Sequence, residues 1–164
     1  VYSSSSLRRI YYKSEGTLPF KADIPSGDGY LVGGNEPEEV ALENGLQFHI
    51  DWEKGQKTGF FIDQRESRSL LEQYANGCNV LNMFSYTGGF SIYALRGGAV
   101  AIDSVDSSSK ALSITDKNVQ LNFGDEPRHA SYPDDAFRFL KEVPEGKYDL
   151  MVLDPPAFAN IGVQ

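Results

Sequence analysis

The feature that most constrains this chain is an ordered unit: strand, glycine turn, helix, then a second strand ending on an acid. Residues 80–83 are an apolar run that leads into the turn Tyr86-Thr87-Gly88-Gly89. A helical stretch follows from Gly89 to about Arg96, where Gly97-Gly98 stops it. Residues 100–105 form the second apolar run, and Asp106 closes it. In an open α/β sheet this order places a ligand crevice at the carboxyl ends of the strands. Asp106 follows Gly88 by 18 positions, close to the ~20 expected of an acid that hydrogen-bonds ribose hydroxyls.

The turn narrows the ligand. A dinucleotide needs the glycines of G-x-G-x-x-G so that backbone N–H groups can approach a pyrophosphate, and that pattern is missing here. Its absence argues against a nucleotide-binding oxidoreductase. S-adenosylmethionine (SAM) has no phosphate; it carries an adenosine and a cationic amino-acid tail, which a less glycine-rich turn beside carboxylates suits. Tyr86-Thr87-Gly88 would wrap its methionine end, with N–H groups of the following helix start facing its carboxylate. Asp106 would take the ribose hydroxyls in a paired hydrogen bond. The plainer alternatives are a tight strand-to-helix turn and, for Asp106, a helix N-cap.

Residues 10–61 carry Gly and Pro punctuation (Gly16, Pro19, Pro25, Gly27, Gly29, Gly33-Gly34, Pro37) between short apolar runs. Leu46-Gln47-Phe48-His49-Ile50-Asp51 alternates with the period of a half-buried strand, and Asn44-Gly45 before it is a hairpin signal. Phe60-Phe61-Ile62 predicts another strand. Residues 1–63 therefore read as a small β-rich N-terminal module.

From Gln64 the period changes. Residues 65–74 are helical, with Leu70, Leu71 and Tyr74 on the apolar side. Ser107 or Ser108 caps a helix that carries Ala111, Leu112, Ile114, Val119 and Leu121. A short third strand is expected near 128–131, a helix over 135–142 and a fully apolar fourth strand over 148–153. This alternation predicts an α/β fold for residues 64–164, a Rossmann-like parallel sheet with helices on both faces.

Composition sets bounds. The chain has 164 residues, about one domain by size, and 40% are hydrophobic, enough to bury a core. No run approaches the ~20 apolar residues of a membrane helix, and no leader pattern opens the chain. The single cysteine, Cys78, excludes an internal disulfide and fits a reducing, cytoplasmic setting. Two histidines, His49 and His129, are too few to suggest a metal centre, so none is expected. The net charge of −8 argues against a general nucleic-acid binder but leaves room for a local basic patch. Arg8, Arg9 and Lys13 form one candidate patch; Lys54, Lys57, Arg65 and Arg68 form another.

Four segments carry a family resemblance: residues 82–90 (Asn82-Met83-Phe84-Ser85-Tyr86-Thr87-Gly88-Gly89-Phe90), Asp106, Asp134-Asp135-Ala136-Phe137, and Asp154-Pro155-Pro156-Ala157-Phe158. Together they resemble the SAM-dependent RNA methyltransferases of the bacterial 23S rRNA cytosine-C5 type. The upstream run 55–68, with Asp63-Gln64-Arg65, resembles the segment that precedes the catalytic domain in that family. The match extends over roughly 43–159, in the family's order. A related group that methylates guanine N7 shares the F-S-Y-T-G and D-P-P-x-F elements.

The resemblance implies a class I methyltransferase sheet of strand order 3-2-1-4, completed by three further strands beyond this sequence. It implies SAM as cofactor and RNA, 23S rRNA above all, as partner, with a homodimer as the oligomeric expectation. The cofactor residues it implies are Asp63, Gln64, Arg65, Asn82, Phe84, Ser85, Tyr86, Thr87, Gly88, Asp106 and Asp134. Asp134 would face the adenine amino group, while Asp135 could cap the next helix. Asp63 could instead cap the first helical turn.

The catalytic set it implies is Asp154, Pro155, Pro156 and Phe158. The two prolines fix φ and remove two N–H groups, which stiffens the loop. Cytosine C5 is not nucleophilic, so a thiolate must add to C6 while an acid near N3, for which Asp154 is the candidate, stabilises the resulting charge. Cys78 precedes the first strand, at the wrong end of the sheet, and reads as a small buried hydrophobe. The family places its nucleophile after the fifth strand, outside this sequence, so these 164 residues alone are expected to lack activity on rRNA. Guanine-N7 or amino-directed methylation, and a non-catalytic SAM- or RNA-binding fragment, are the alternatives.

Overall fold

A computed structural model describes residues 9–13, 27–34 and 40–155. They form two compact units: the described residues up to 34 with 50–60, and residues 40–49 with 61–155. A single cut at residue 63 was expected; instead the segment 40–49 leaves the small module and joins the larger unit.

In the small unit, β1 (Ile10–Tyr12) pairs antiparallel with β2 (Gly29–Val32). Tyr11 and Tyr30 meet edge to face at 5.0 Å, and Trp52 Nε1 donates to Tyr30 Oη at 3.2 Å. The Lys13 ammonium donates to the carbonyls of Trp52 and Gly55. Lys13 is thus tied within its own unit, and of the first candidate patch Arg8 lies outside the described residues.

The larger unit opens with the antiparallel hairpin of β3 (Val40–Glu43) and β4 (Leu46–His49). Asn44 and Gly45 both adopt left-handed φ (49° and 83°), the geometry of a two-residue primed turn and the reason for Asn-Gly here. Leu46 and Phe48 point inward, and Phe48 stacks on Tyr93.

The strand expected at Phe60-Phe61-Ile62 does not form. The Phe60 carbonyl accepts from Thr58 Oγ1, the Phe61 carbonyl accepts from Gln64 N–H and from Arg68, and Ile62–Gln64 is a 3₁₀ turn. Local partners take the acceptors that a ladder would have needed. The helix α1 (Arg65–Tyr74) follows. Its expected apolar side holds only in part: Leu71 is half-buried, but Leu70 is 54% and Tyr74 64% exposed, whereas Arg68 is 3% exposed.

The sheet comes next. It comprises β5 (Asn79–Met83), α2 (Gly89–Arg96), β6 (Ala101–Asp106), α3 (Ser109–Phe123), β7 (His129–Pro133), α4 (Ala136–Glu142) and β8 (Leu150–Leu153). The strands are all parallel in the order β7-β6-β5-β8. Leu81, Met83, Val105 and Ala136 form the core on the α4 face. On the other face, Val80, Ile102, Ile92, Leu95, Leu112 and Val119 are buried beside α2 and α3. The second strand starts one residue later than expected, and the third runs on to Pro133. The fourth is shorter and lies at the sheet edge, with Met151 and Leu153 exposed rather than buried. Ser108 caps α3 and Asp135 caps α4.

Arg68 explains how α1 docks. Its Nε and Nη2 donate to the two carboxylate oxygens of Glu43 at 2.9 and 2.8 Å, and its Nη1 donates to the Phe61 carbonyl. Tyr93 Oη also donates to Glu43, and burial together with that bond raises the phenol pKa. Glu43→Ala would strand a buried guanidinium and should cost about 3–5 kcal/mol in urea denaturation. Glu72→Ala, which breaks a part-exposed pair with Arg96, should cost about 1 kcal/mol or less. Equal losses in the two variants would show that the Arg68–Glu43 pair carries no special burden.

Candidate functional site

Parallel register brings the acids of three strands to one edge. Asp106 ends β6 opposite Pro133 of β7, Asp134 follows that proline, and Asp154 lies one residue past the Met83–Leu153 pair of β5 and β8. Between them, residues 84–88 leave β5 as the turn. Strands ~4.8 Å apart place Asp106 and Asp134 on one side of that turn and Asp154 on the other.

The turn is wound tightly. Phe84 and Tyr86, neither of them glycine, have φ of 56° and 48°, and Gly88 has 78°. Left-handed backbone at bulky residues persists only where surrounding structure imposes it, and the bonds that impose it are visible. Asp106 Oδ2 accepts from Tyr86 N–H at 2.8 Å, and Oδ1 from Ser108 N–H at 2.9 Å. The carbonyl of Tyr86 accepts from Thr115 Oγ1, and that of Thr87 from Asn118 Nδ2. Gly88 N–H donates to the Ser85 carbonyl. A Cβ on Gly88 would lie 2.4 Å from Thr115 Cγ2, so α3 packs where a side chain would be.

Asp106 is therefore a clamp on the turn, and the N-cap of α3 is Ser108 instead. Each carboxylate oxygen can accept more than one bond, so the clamp leaves acceptor capacity for hydroxyls. Asp134 Oδ1 accepts from Asp135 N–H and from Arg138 Nε, both at 2.6 Å. Its neighbour Asp135 caps α4.

Ser85 is 6% exposed, and its hydroxyl oxygen is buried with no hydrogen-bond partner among the described residues. A buried hydroxyl without a partner costs free energy, and this one sits in the turn between Asp106 and Asp154. The Phe84 ring meets Phe137 of α4 at 6.3 Å, and the Tyr86 ring meets Phe61 at 5.4 Å, so aromatic edges flank the turn. An orphan hydroxyl, spare carboxylate acceptors and apolar rings suit SAM: polar groups for the ribose and methionine ends, rings for the adenine.

The remaining residues fall less close. Asp63, Gln64 and Arg65 begin two residues after Phe61, so that ring contact brings their segment beside Tyr86; Arg65 pairs with Glu66. The expected Asp63 cap is not made, because neither helix start there has a side-chain cap bond. Asn82 is buried under the turn, its amide donating to Ser91. Asp154 and Pro155 are exposed at the end of β8, whereas Pro156 and Phe158 lie outside the described residues. Cys78 is half-buried rather than buried, its Sγ 3.3 Å from the Tyr74 carbonyl, at the opposite end of β5 from the turn. Thr115 and Asn118 were not singled out from sequence, and Phe137 was noted only as part of a motif. The i, i+3 spacing of the first two on an otherwise apolar helix face was the available signal.

The family model of S-adenosylmethionine-dependent methyltransferases matches residues 24–163, and the chain belongs to that family. It is 40% identical over 155 residues to the ribosomal RNA large subunit methyltransferase I of Tolumonas auensis, covering 92% of this chain and 39% of that protein. The Yersinia pestis protein of the same name is 40% identical over 154 residues, with the same coverage. The chain thus spans about two fifths of the length of these relatives. Among solved structures, SMU.776 complexed with SAH, the demethylated product of SAM, superposes with a TM-score of 0.74 at 35% identity, over 82% of this chain and 36% of that one. The SAM-dependent methyltransferase from Agrobacterium tumefaciens, at 21% identity and a TM-score of 0.67 over 83% of this chain and 42% of that one, shares the fold. No helix among the described residues is long and apolar enough to cross a membrane, and no metal-ligating cluster occurs among them.

The packing at Gly88 gives a direct test. Gly88→Ala should lose about 2–4 kcal/mol of stability in urea denaturation, from left-handed strain together with overpacking. Adding Thr115→Ser removes the nearest methyl and should restore about 1 kcal/mol of that loss. If the two changes are additive instead, the turn does not press on Thr115.

Proposed function

We propose that this chain is the cofactor-binding part of an RNA base methyltransferase acting on 23S rRNA, with cytosine C5 as the target. The observation that carries the reading is the carboxyl edge of the sheet. There the clamped turn, the orphan hydroxyl of Ser85 and the acids Asp106, Asp134 and Asp154 converge. The names of the relatives support an rRNA substrate, and the D-P-P motif supports chemistry at the base.

In this reading Asp106 binds the ribose hydroxyls with its remaining lone pairs, and Asp134 accepts from the adenine amino group. Phe84 and Phe137 supply apolar walls. Ser85 and the N–H groups of Thr87 and Gly89 face the methionine end, with Asp63, Gln64 and Arg65 over the cofactor. Tyr86 shapes the turn, and Asn82 supports it from below. SAM supplies an electrophilic methyl group when bound. Asp154 holds the N3 side of the base and stabilises the charge that develops there. Pro155 and Pro156 stiffen its loop, and Phe158 offers a face to the base.

A basic surface for RNA must be smaller than the sequence suggested. Arg68 is buried and spent on Glu43, and Arg65 pairs with Glu66. Lys54 and Lys57 are exposed and remain candidates for phosphate contact.

Two substitutions in the full-length protein test the reading. Asp106→Ala should weaken SAH binding at least tenfold in calorimetry, since charge-assisted bonds are worth ~1.5–3 kcal/mol; unchanged affinity would remove Asp106 from the ribose. Asp154→Asn should leave SAM affinity within about threefold while slowing methyl transfer to unmodified 23S rRNA by ~10² or more. A normal rate in that variant would make Asp154 structural.

A further inference from the structure

We propose that Asn118 is a positioning residue for the cofactor: it holds the turn in its binding shape and ties that shape to the β3–β4 hairpin. The proposal rests on the reading that the turn holds SAM. Asn118 is fully buried, and both ends of its amide are used. Oδ1 accepts from the His49 N–H of β4 at 2.7 Å, and Nδ2 donates to the Thr87 carbonyl at 2.9 Å. A donor on one side and an acceptor on the other fix the orientation of the amide. One helical turn earlier, Thr115 Oγ1 shares its proton between the carbonyls of Tyr86 (3.0 Å) and Ala111 (3.3 Å). One turn later, Asn122 grips Gln47 of the same hairpin, accepting from its N–H at 2.9 Å and donating to its carbonyl at 2.7 Å.

Three polar side chains on one face of α3 thus divide by task. Asn122 holds the hairpin alone, Thr115 holds the turn alone, and Asn118 holds both. The consequence for the site follows from peptide geometry. In a trans peptide the N–H points opposite the carbonyl. With the Tyr86 carbonyl drawn to α3, the Thr87 N–H is directed away from that helix. With the Thr87 carbonyl drawn there too, Gly88 N–H is set to meet the Ser85 carbonyl, which closes the turn. Losing the Asn118 donor frees the Thr87 peptide to rotate, and the turn must then spend binding energy to re-form.

Asn118→Asp is the informative variant, because a carboxylate keeps the acceptor for His49 and loses the donor for Thr87. A protonated carboxyl regains a donor. SAH affinity of the full-length protein is measured by calorimetry at about pH 8.5 and about pH 5.5, with burial favouring the protonated form at the lower value. The expected result is binding about tenfold weaker than wild type at the higher pH and within about threefold at the lower. Asn122→Ala, which also loosens the hairpin, should bind within about twofold of wild type throughout.

A loss in Asn118→Asp that ignores pH, no loss at all, or an equal loss in Asn122→Ala would overturn the proposal. If Asn118→Asp does not fold, Thr115→Val decides: weaker binding there with normal binding in Asn122→Ala supports a turn held from α3, and the reverse refutes it. A wild-type protein that fails to bind SAH would instead refute the reading of the turn itself.

Discussion

A guanidinium taken out of water fixes much of this structure. Arg68 and Glu43 are both buried, and their bidentate pair joins a helix to a hairpin from an earlier part of the chain. Such a pair recovers its desolvation cost only with good geometry and full hydrogen bonding. Both are present: Glu43 also accepts from Tyr93 on α2, and Arg68 also donates to the Phe61 carbonyl. Asn44, beside Glu43, donates to Tyr93 Oη and to Ser69 on α1. The hairpin, α1 and α2 are therefore held by one polar cluster. The Arg68 side chain also lies 3.1 Å from where a Cβ on Gly89 would be, so the first residue of α2 is packed against it.

That cluster grips one end of the hairpin, and α3 grips the other. Glu43 precedes the Asn-Gly turn and reaches the start of α2 through Arg68. His49 ends β4 and reaches the Thr87 carbonyl through Asn118. Both routes end at the turn of residues 84–88 and the helix start that follows it. The hairpin is a separate two-stranded sheet, yet it braces the turn that leaves β5 of the larger sheet.

The parallel sheet was legible in the sequence because its signals are local and periodic. Helices at Gly89–Arg96 and Arg65–Tyr74, the caps at Ser108 and Asp135, and the Asn-Gly hairpin each rest on a few adjacent residues. The placement of Arg68 was not legible. A periodicity argument puts charge outward and leucine inward, and only a partner at Glu43, 25 positions away, reverses that for α1. The failed strand at Phe60-Phe61 has a different origin, since nearby donors at Thr58, Gln64 and Arg68 captured its carbonyls. In the site, the acids at strand ends could be read from motif and spacing. Thr115 and Asn118 could not, because they serve the turn through side chains one helix away and carry no motif of their own.

The buried polar residues of the sheet follow a related logic. Asn82, Ser91, Ser104 and His129 form a chain of hydrogen bonds from β5 through α2 and β6 to β7. Burial lowers the His129 pKa despite the nearby Asp116, Asp103 and Glu126, which favours the neutral ring. A neutral imidazole and a hydroxyl can each donate and accept, so the chain satisfies its own members without a net charge in the core. On the opposite face, Asp103 takes bonds from Lys147 and from Tyr148, whose phenol is pushed up to about 12 by burial and by that carboxylate. The two devices sit on the middle strands, next to β5. They brace the strand from which the turn departs and the neighbouring strand that ends on Asp106, so the clamp between Asp106 and Tyr86 N–H has a fixed base on both sides.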